Sequence, residues 1–189
     1  MTKYTRFIFL FFSLFLVLFF AAYSYAYSIQ NGRFISTNQQ LSFNLPQANL
    51  AIQETMSDVY LVKLMSDIND PNPVQYAVVT VPLDDRHFPD YQTRSKDDLF
   101  HSLPFRFKQM AKADGDTLKN LKCKYIKVGK DQAYQCTAKF EKTSGFSQLS
   151  IGSLLIKNGE LIYIYQYVPA DRSFDLNRYN RLLHSIKIN

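Results

Sequence analysis

Tryptophan is absent from this chain of 189 residues, and cysteine, histidine and glycine are scarce, at two, three and six copies. Each shortage removes a class of chemistry. Three histidines without ligand spacing form no zinc signature, and Cys123 and Cys136 form no Cys-x-x-Cys redox motif. The scattered glycines build no phosphate-cradling loop. They build no Gly-x-Ser-x-Gly elbow either, because Gly145-Phe146-Ser147-Gln148-Leu149 lacks the second glycine. With only seven prolines, the chain is too poor in Pro and Gly to be a disordered segment or a long linker. No motif implies a cofactor.

What is present begins with a leader. Lys3 and Arg6 form a short basic region, and residues 7–22 are apolar or small apart from Ser13. Ser24-Tyr25-Ala26 is the better cleavage site and Ala22-Tyr23-Ser24 the second, the order of a secretory signal peptide. The alternative is an uncleaved anchor, although the apolar run is slightly shorter than the ~20 residues that span a bilayer. No cysteine stands nearby, so lipid attachment at that site is excluded. Residues 1–26 are therefore expected to be the signal and 27–189 a single exported domain, periplasmic or tethered by the leader.

In that compartment the two cysteines have a partner in each other. Gly129-Lys130 suits a type II′ turn, with glycine at the position of positive φ. The register that sets Val128 opposite Asp131 also sets Cys123 opposite Cys136, at a non-hydrogen-bonded site where side chains approach closely. A structural disulfide is expected there. The same register pairs Tyr125 with Tyr134 and Leu121 with Ala138, and leaves Lys122, Lys124 and Gln135 on the other face.

Patterning supplies the remaining elements. Residues 27–40 read as irregular, with at most a short strand at 33–36. Leu41, Phe43 and Leu45 alternate as a strand stopped by Pro46, and further strands are expected at 59–65 and 75–81. Asp70-Pro71-Asn72-Pro73 separates these two. Ser95-Lys96-Asp97-Asp98 resembles a capping arrangement for a helix whose stripe is Leu99, Leu103, Phe107 and Ala111. Pro104 either kinks this helix or marks a second one beginning with Ser102 as cap. Four strands follow at 121–128, 132–142, 146–157 and 160–168, the last two joined by Asn158-Gly159. That pair is apolar on both faces, as central strands are. A final helix carries Leu176, Tyr179, Leu182 and Leu183, capped by Asp171 or Ser173, and residues 185–188 end extended.

Two clusters are candidates for function. The loop Asp84-Asp85-Arg86-His87-Phe88-Pro89-Asp90 could hold a metal through Asp84, Asp85, His87 and Asp90, although it lacks the glycine and terminal glutamate of a calcium loop. A solvated loop is the bland alternative. The formal charge is +6, and removing Lys3 and Arg6 leaves +4 for the exported part. Residues 106–130 hold eight bases against Asp114 and Asp116. Lys108, Lys112, Lys119, Lys122, Lys124 and Lys127 could meet an anionic membrane surface or an acidic envelope protein, with a solvated face as the alternative. Export argues against nucleic acid as a partner.

The order of elements, with Leu41-Ser42-Phe43-Asn44-Leu45-Pro46 near the start and Leu182-Leu183-His184-Ser185-Ile186-Lys187-Ile188 at the end, resembles the PsbP-like family. Gln47-Ala48-Asn49 departs from the aromatic that commonly follows the early proline there. The resemblance implies an α+β fold: an antiparallel sheet of about six to seven strands flanked by helices in an α/β/α sandwich. It also implies a non-catalytic extrinsic subunit, assembly factor or envelope protein. An enzyme or metal-dependent protein built on residues 84–90 is the rival expectation.

Overall fold

The computed structural model describes residues 27–48, 50–56, 59–66 and 73–189. The leader 1–26 and residues 70–72 of the Asp-Pro-Asn-Pro turn lie outside the described residues. Three short strands open the described chain: β1 (Ser28–Gln30), β2 (Arg33–Ile35) and β3 (Leu41–Asn44). Strands β4 (Ala51–Met56), β5 (Tyr60–Met65) and β6 (Gln75–Pro82) follow. Helices α1 (Lys96–Phe100) and α2 (Ser102–Asp114) lead into a meander of β7 (Thr117–Val128), β8 (Asp131–Glu141), β9 (Ser147–Lys157) and β10 (Glu160–Pro169). Helix α3 (Leu176–Ser185) and the short β11 (Lys187–Ile188) close the chain.

The main sheet is antiparallel and seven-stranded, in the order β4-β5-β6-β10-β9-β8-β7. Strands β9 and β10 lie inside it, which accounts for their apolar character on both faces. On one face α1 and α2 bury Leu99, Phe100, Leu103, Phe107 and Ala111 against the sheet. On the other, α3 buries Tyr179, Leu182 and Leu183 beside a small sheet of order β1-β2-β3-β11, which adds Phe34, Leu41 and Phe43. Arg33 joins the small sheet to the end of α3 by donating to the Ser185 carbonyl at 3.0 Å, and the Asn44 N–H donates to Ser185 Oγ at 2.7 Å.

Several local outcomes differ from the sequence reading. Residues 28–35 form a hairpin, because Asn31 (φ 51°) and Gly32 (φ 72°) both adopt the left-handed conformation of a type I′ turn. Strand β4 forms one edge of the main sheet, although its sequence gave no clear alternation. Pro104 is accommodated by a break: α1 ends at His101, and Ser102 is the first residue of α2. Proline then falls in the first turn, where its missing N–H is not needed. His101 stands at the cap, while Ser102 Oγ donates to the Leu99 carbonyl at 2.6 Å. Asp175 caps α3 in place of Asp171 or Ser173, accepting from the Arg178 N–H.

The cysteine hairpin has the expected turn, with Gly129 at φ 62° and no positive φ at Lys130. Cys123 and Cys136 are bonded, with Cα atoms 4.1 Å apart, the close spacing of a non-hydrogen-bonded pair. Tyr125 faces Tyr134, but the pairing of Leu121 with Ala138 is broken. Asn120 (φ 54°) bulges between Lys119 and Lys122, so beyond this point the register slips by one residue.

Candidate binding groove

Helix α2 covers only part of its face of the sheet. The central row of that face runs Lys63 (β5), Ala77 (β6), Tyr165 (β10), Gly152 (β9), Cys136 (β8) and Cys123 (β7), each residue paired with the next across the ladder. A Cβ on Gly152 would sit 2.8 Å from both Phe107 and Tyr165. The missing side chain is what lets Phe107 settle on the sheet and draws α2 over β8 and β9. Among the described residues, no helix covers β5 and the adjoining part of β6 in the same way. Between α2 and these strands lies an open groove of about 640 Å³.

Its floor consists of alternate residues of three strands. Leu61, Val79 and Tyr163 form one row; Lys63, Ala77 and Tyr165 the next; Gln75 and Tyr167 the third. The small Ala77 side chain makes the middle of the floor low. Tyr163, Tyr165 and Tyr167 run in parallel along β10, with centroids 6.4 and 5.9 Å apart. The wall is the α2 ridge of Arg106, Gln109, Met110 and Ala113, on the helical spacing of three to four that places residues on one face. The Arg106 guanidinium lies 4.2 Å from the Tyr163 ring centroid, a cation–π contact.

The electrostatics of the two ends differ. At one end Lys142 lies 2.7 Å from Asp116 and 3.3 Å from Asp114, so its charge is spent within the fold. Burial acts to lower the Lys142 pKa, but the hydrogen bonds to Asp116 and Asp114 outweigh it and hold it above the ordinary lysine value. At the middle and the other end, Lys63 and Arg106 have no acid partner among the described residues. Burial pushes the Tyr165 and Tyr167 hydroxyls well above the usual tyrosine range, so both stay neutral at physiological pH. The Tyr167 hydroxyl donates to Met110 Sδ at 3.7 Å, and Tyr163 shares a 2.8 Å hydrogen bond with Ser102.

The sequence-derived candidates are placed elsewhere. Asp84 and His87 pair with each other, Nδ1 to Oδ1 at 2.7 Å, and the hydrogen bond from His87 holds the Asp84 carboxyl below its ordinary range. Asp85 and Asp90 are exposed. Among the described residues no group of three His, Cys, Asp or Glu side chains is arranged to hold a metal ion. The lysines surround the edge strand β7 from both sides. Lys108 and Lys112 are exposed on α2, and Lys127 points to the same side as Cys123. Lys119, Lys122 and Lys124 point to the α3 side, because side chains alternate along a strand. Lys119 is bound to Glu141 at 2.7 Å. Among the described residues no helix is long and apolar enough to cross a membrane.

An antiparallel sheet with α1 and α2 on one face and α3 on the other makes this an α+β sandwich. Its fold is PsbP-like. The solution structure of cyanobacterial PsbP (CyanoP) from Synechocystis sp. PCC 6803 matches with a TM-score of 0.58 at 14% identity, covering 83% of this chain and 91% of that one. A crystal structure from Bacteroides thetaiotaomicron VPI-5482 matches with a TM-score of 0.51 at 11% identity. That match covers 85% of this chain but only 49% of the other, so the chain spans about half the length of the Bacteroides protein. At such identities the likeness establishes the fold alone. No family model matches the chain, and no curated protein matches it.

Proposed function

We propose that the protein is an exported, non-catalytic component of the cell envelope that binds a partner through the groove between α2 and the sheet. The observation carrying this reading is the groove itself, which offers partly exposed apolar surface at Leu61, Ala77 and Val79 beside Lys63 and Arg106, two cations with no acid partner among the described residues. Its buried tyrosine hydroxyls are held protonated and so are poor nucleophiles or bases at neutral pH. Support for export comes from the signal-like leader and from the Cys123–Cys136 bond, which suits an oxidising compartment. The partner is an envelope protein or the anionic membrane surface, in keeping with a basic exported chain.

The test uses the full chain in living cells, with a photo-crosslinking residue at Gln109 in the groove or at the exposed Arg181 of α3, on the opposite face of the main sheet. The expected result is a product whose N-terminus is Tyr27, recovered outside the cytoplasm and crosslinked from position 109 but not from 181. Retention of the leader-bearing chain in the cytoplasm, or equal crosslinking from both positions, would overturn the reading.

A further inference from the structure

Within the groove, charge and shape select a ligand class. We infer that the groove takes an anionic amphiphile: an elongated apolar body carrying one carboxylate or phosphate group. The inference rests on the binding role proposed above and specifies its ligand.

Three features support this. The volume of about 640 Å³ falls in the range of small-molecule sites. The floor, with its low point at Ala77 between Tyr165 and Lys63, presents the half-buried Leu61, Ala77, Val79 and Tyr167 to an apolar body, while Tyr163 and Tyr165 lie buried under α2. The lining holds three bases against one acid. Asp114 and Asp116 neutralise Lys142, which leaves Lys63 and Arg106 as the cations without a carboxylate among the described residues. Arg106 is already oriented by the ring of Tyr163, so its guanidinium loses little freedom on meeting an anion. An anionic head between Arg106 and Lys63 would place the body over Ala77 and against Tyr167, toward Gln148 and Pro169.

The experiment titrates the exported domain, residues 27–189 with its disulfide intact, with decyl phosphate, decanoate and decanol below their micelle concentrations, followed by calorimetry. Saturable one-to-one binding of both anions is expected, with decanol bound at least about tenfold more weakly, the value of one charge-assisted contact. Arg106→Gln with Lys63→Gln should abolish the difference between the anions and decanol. Ala77→Phe fills the floor and should remove binding of all three; Ala113→Phe fills the groove from an exposed helical position and repeats the test should the first variant fold poorly. Decanol bound as tightly as decyl phosphate, or affinity unchanged in both filling variants, would overturn the inference. A third arm separates free amphiphile from bilayer lipid. Flotation with anionic vesicles that persists in the filling variants, without binding of free decyl phosphate, would assign lipid contact to the outer surface and also defeat it. Crosslinking from Gln109 to an envelope protein without amphiphile binding would leave the binding role standing and remove only this ligand.

Discussion

At the scale of single residues, the position on which most depends is Gly152. It lies under two aromatic rings at distances no Cβ tolerates, one from α2 above and one from the adjacent strand β10. The adjacent Phe107 and Tyr165 rings, with centroids 5.8 Å apart, cannot both withdraw without opening the helix–sheet contact. Gly152→Val should therefore destabilise the domain by about 1–3 kcal/mol, the usual penalty of overpacking a core. Chemical denaturation checks this, and a paired Phe107→Leu substitution should recover part of the loss. A variant as stable as the parent would show that α2 can lift from the sheet at little cost. The sequence offered no sign of this role, because a lone glycine inside a strand pattern signals only a bulge or a close approach. The bulge is in fact elsewhere, at Asn120, an amide residue able to adopt the left-handed conformation.

At the scale of elements, the cysteine hairpin was legible because its turn and its two sulfurs fix the same register independently. The Cys123–Cys136 bond closes a loop of sequence separation 13 at the unprotected side of the sheet, where β7 has a single neighbour. Replacing both cysteines by serine is expected to cost about 2–3 kcal/mol by restoring the freedom of the unfolded chain. Hydrogen exchange should locate the loss in β7 first, since β8 stays paired with β9. Protection lost evenly over the whole sheet would contradict this. Other elements were less legible for reasons of length and polarity. Strands β1 and β2 have three residues each, too few to display an alternation, and their only strong signal is Asn31-Gly32. In β4, Ala51-Ile52-Gln53-Glu54-Thr55 reads as neither buried nor amphipathic, because it is an edge strand. Its Glu54 serves to hold Thr37, accepting from that residue's N–H at 3.0 Å and its hydroxyl at 2.7 Å. The charged loop 84–90 has a local density of ligand-type residues, yet its geometry pairs a half-exposed Asp84 with His87 and leaves Asp85 and Asp90 in solvent. The groove gave no local motif, since its lining comes from α2, β5, β6 and β10, brought together only by sheet topology. The alternate tyrosines at 163, 165 and 167 were its one visible trace.

At the scale of the whole molecule, the fold buries tyrosine on both faces of the main sheet, which governs its stability at high pH. Thirteen tyrosines are present. Burial is the leading cause that raises the hydroxyl pKa of Tyr165, Tyr167 and Tyr179, which sit on both faces of the main sheet. Tyr179 also approaches Ser153 Oγ at 2.7 Å and the Ile164 carbonyl at 3.1 Å, tying α3 to the centre of the sheet. A group with its folded pKa above the unfolded value of 10.0 gives stability that is fully present below that value and is lost as pH rises through the folded one. The domain should thus hold a level denaturation midpoint up to about pH 9 and lose stability steeply beyond about pH 10. Each buried hydroxyl contributes a slope of about 1.4 kcal/mol per pH unit. Tyrosinate absorbance followed with far-ultraviolet circular dichroism separates the groups: exposed tyrosines titrate while the sheet persists, and the buried ones ionise only as it unfolds. Tyr179→Phe lowers stability at neutral pH by about 1 kcal/mol through its lost hydrogen bonds, and makes the alkaline decline shallower by one proton. If ionisation of all the tyrosines preceded loss of the sheet, burial of these hydroxyls would not be what couples the two faces to the core.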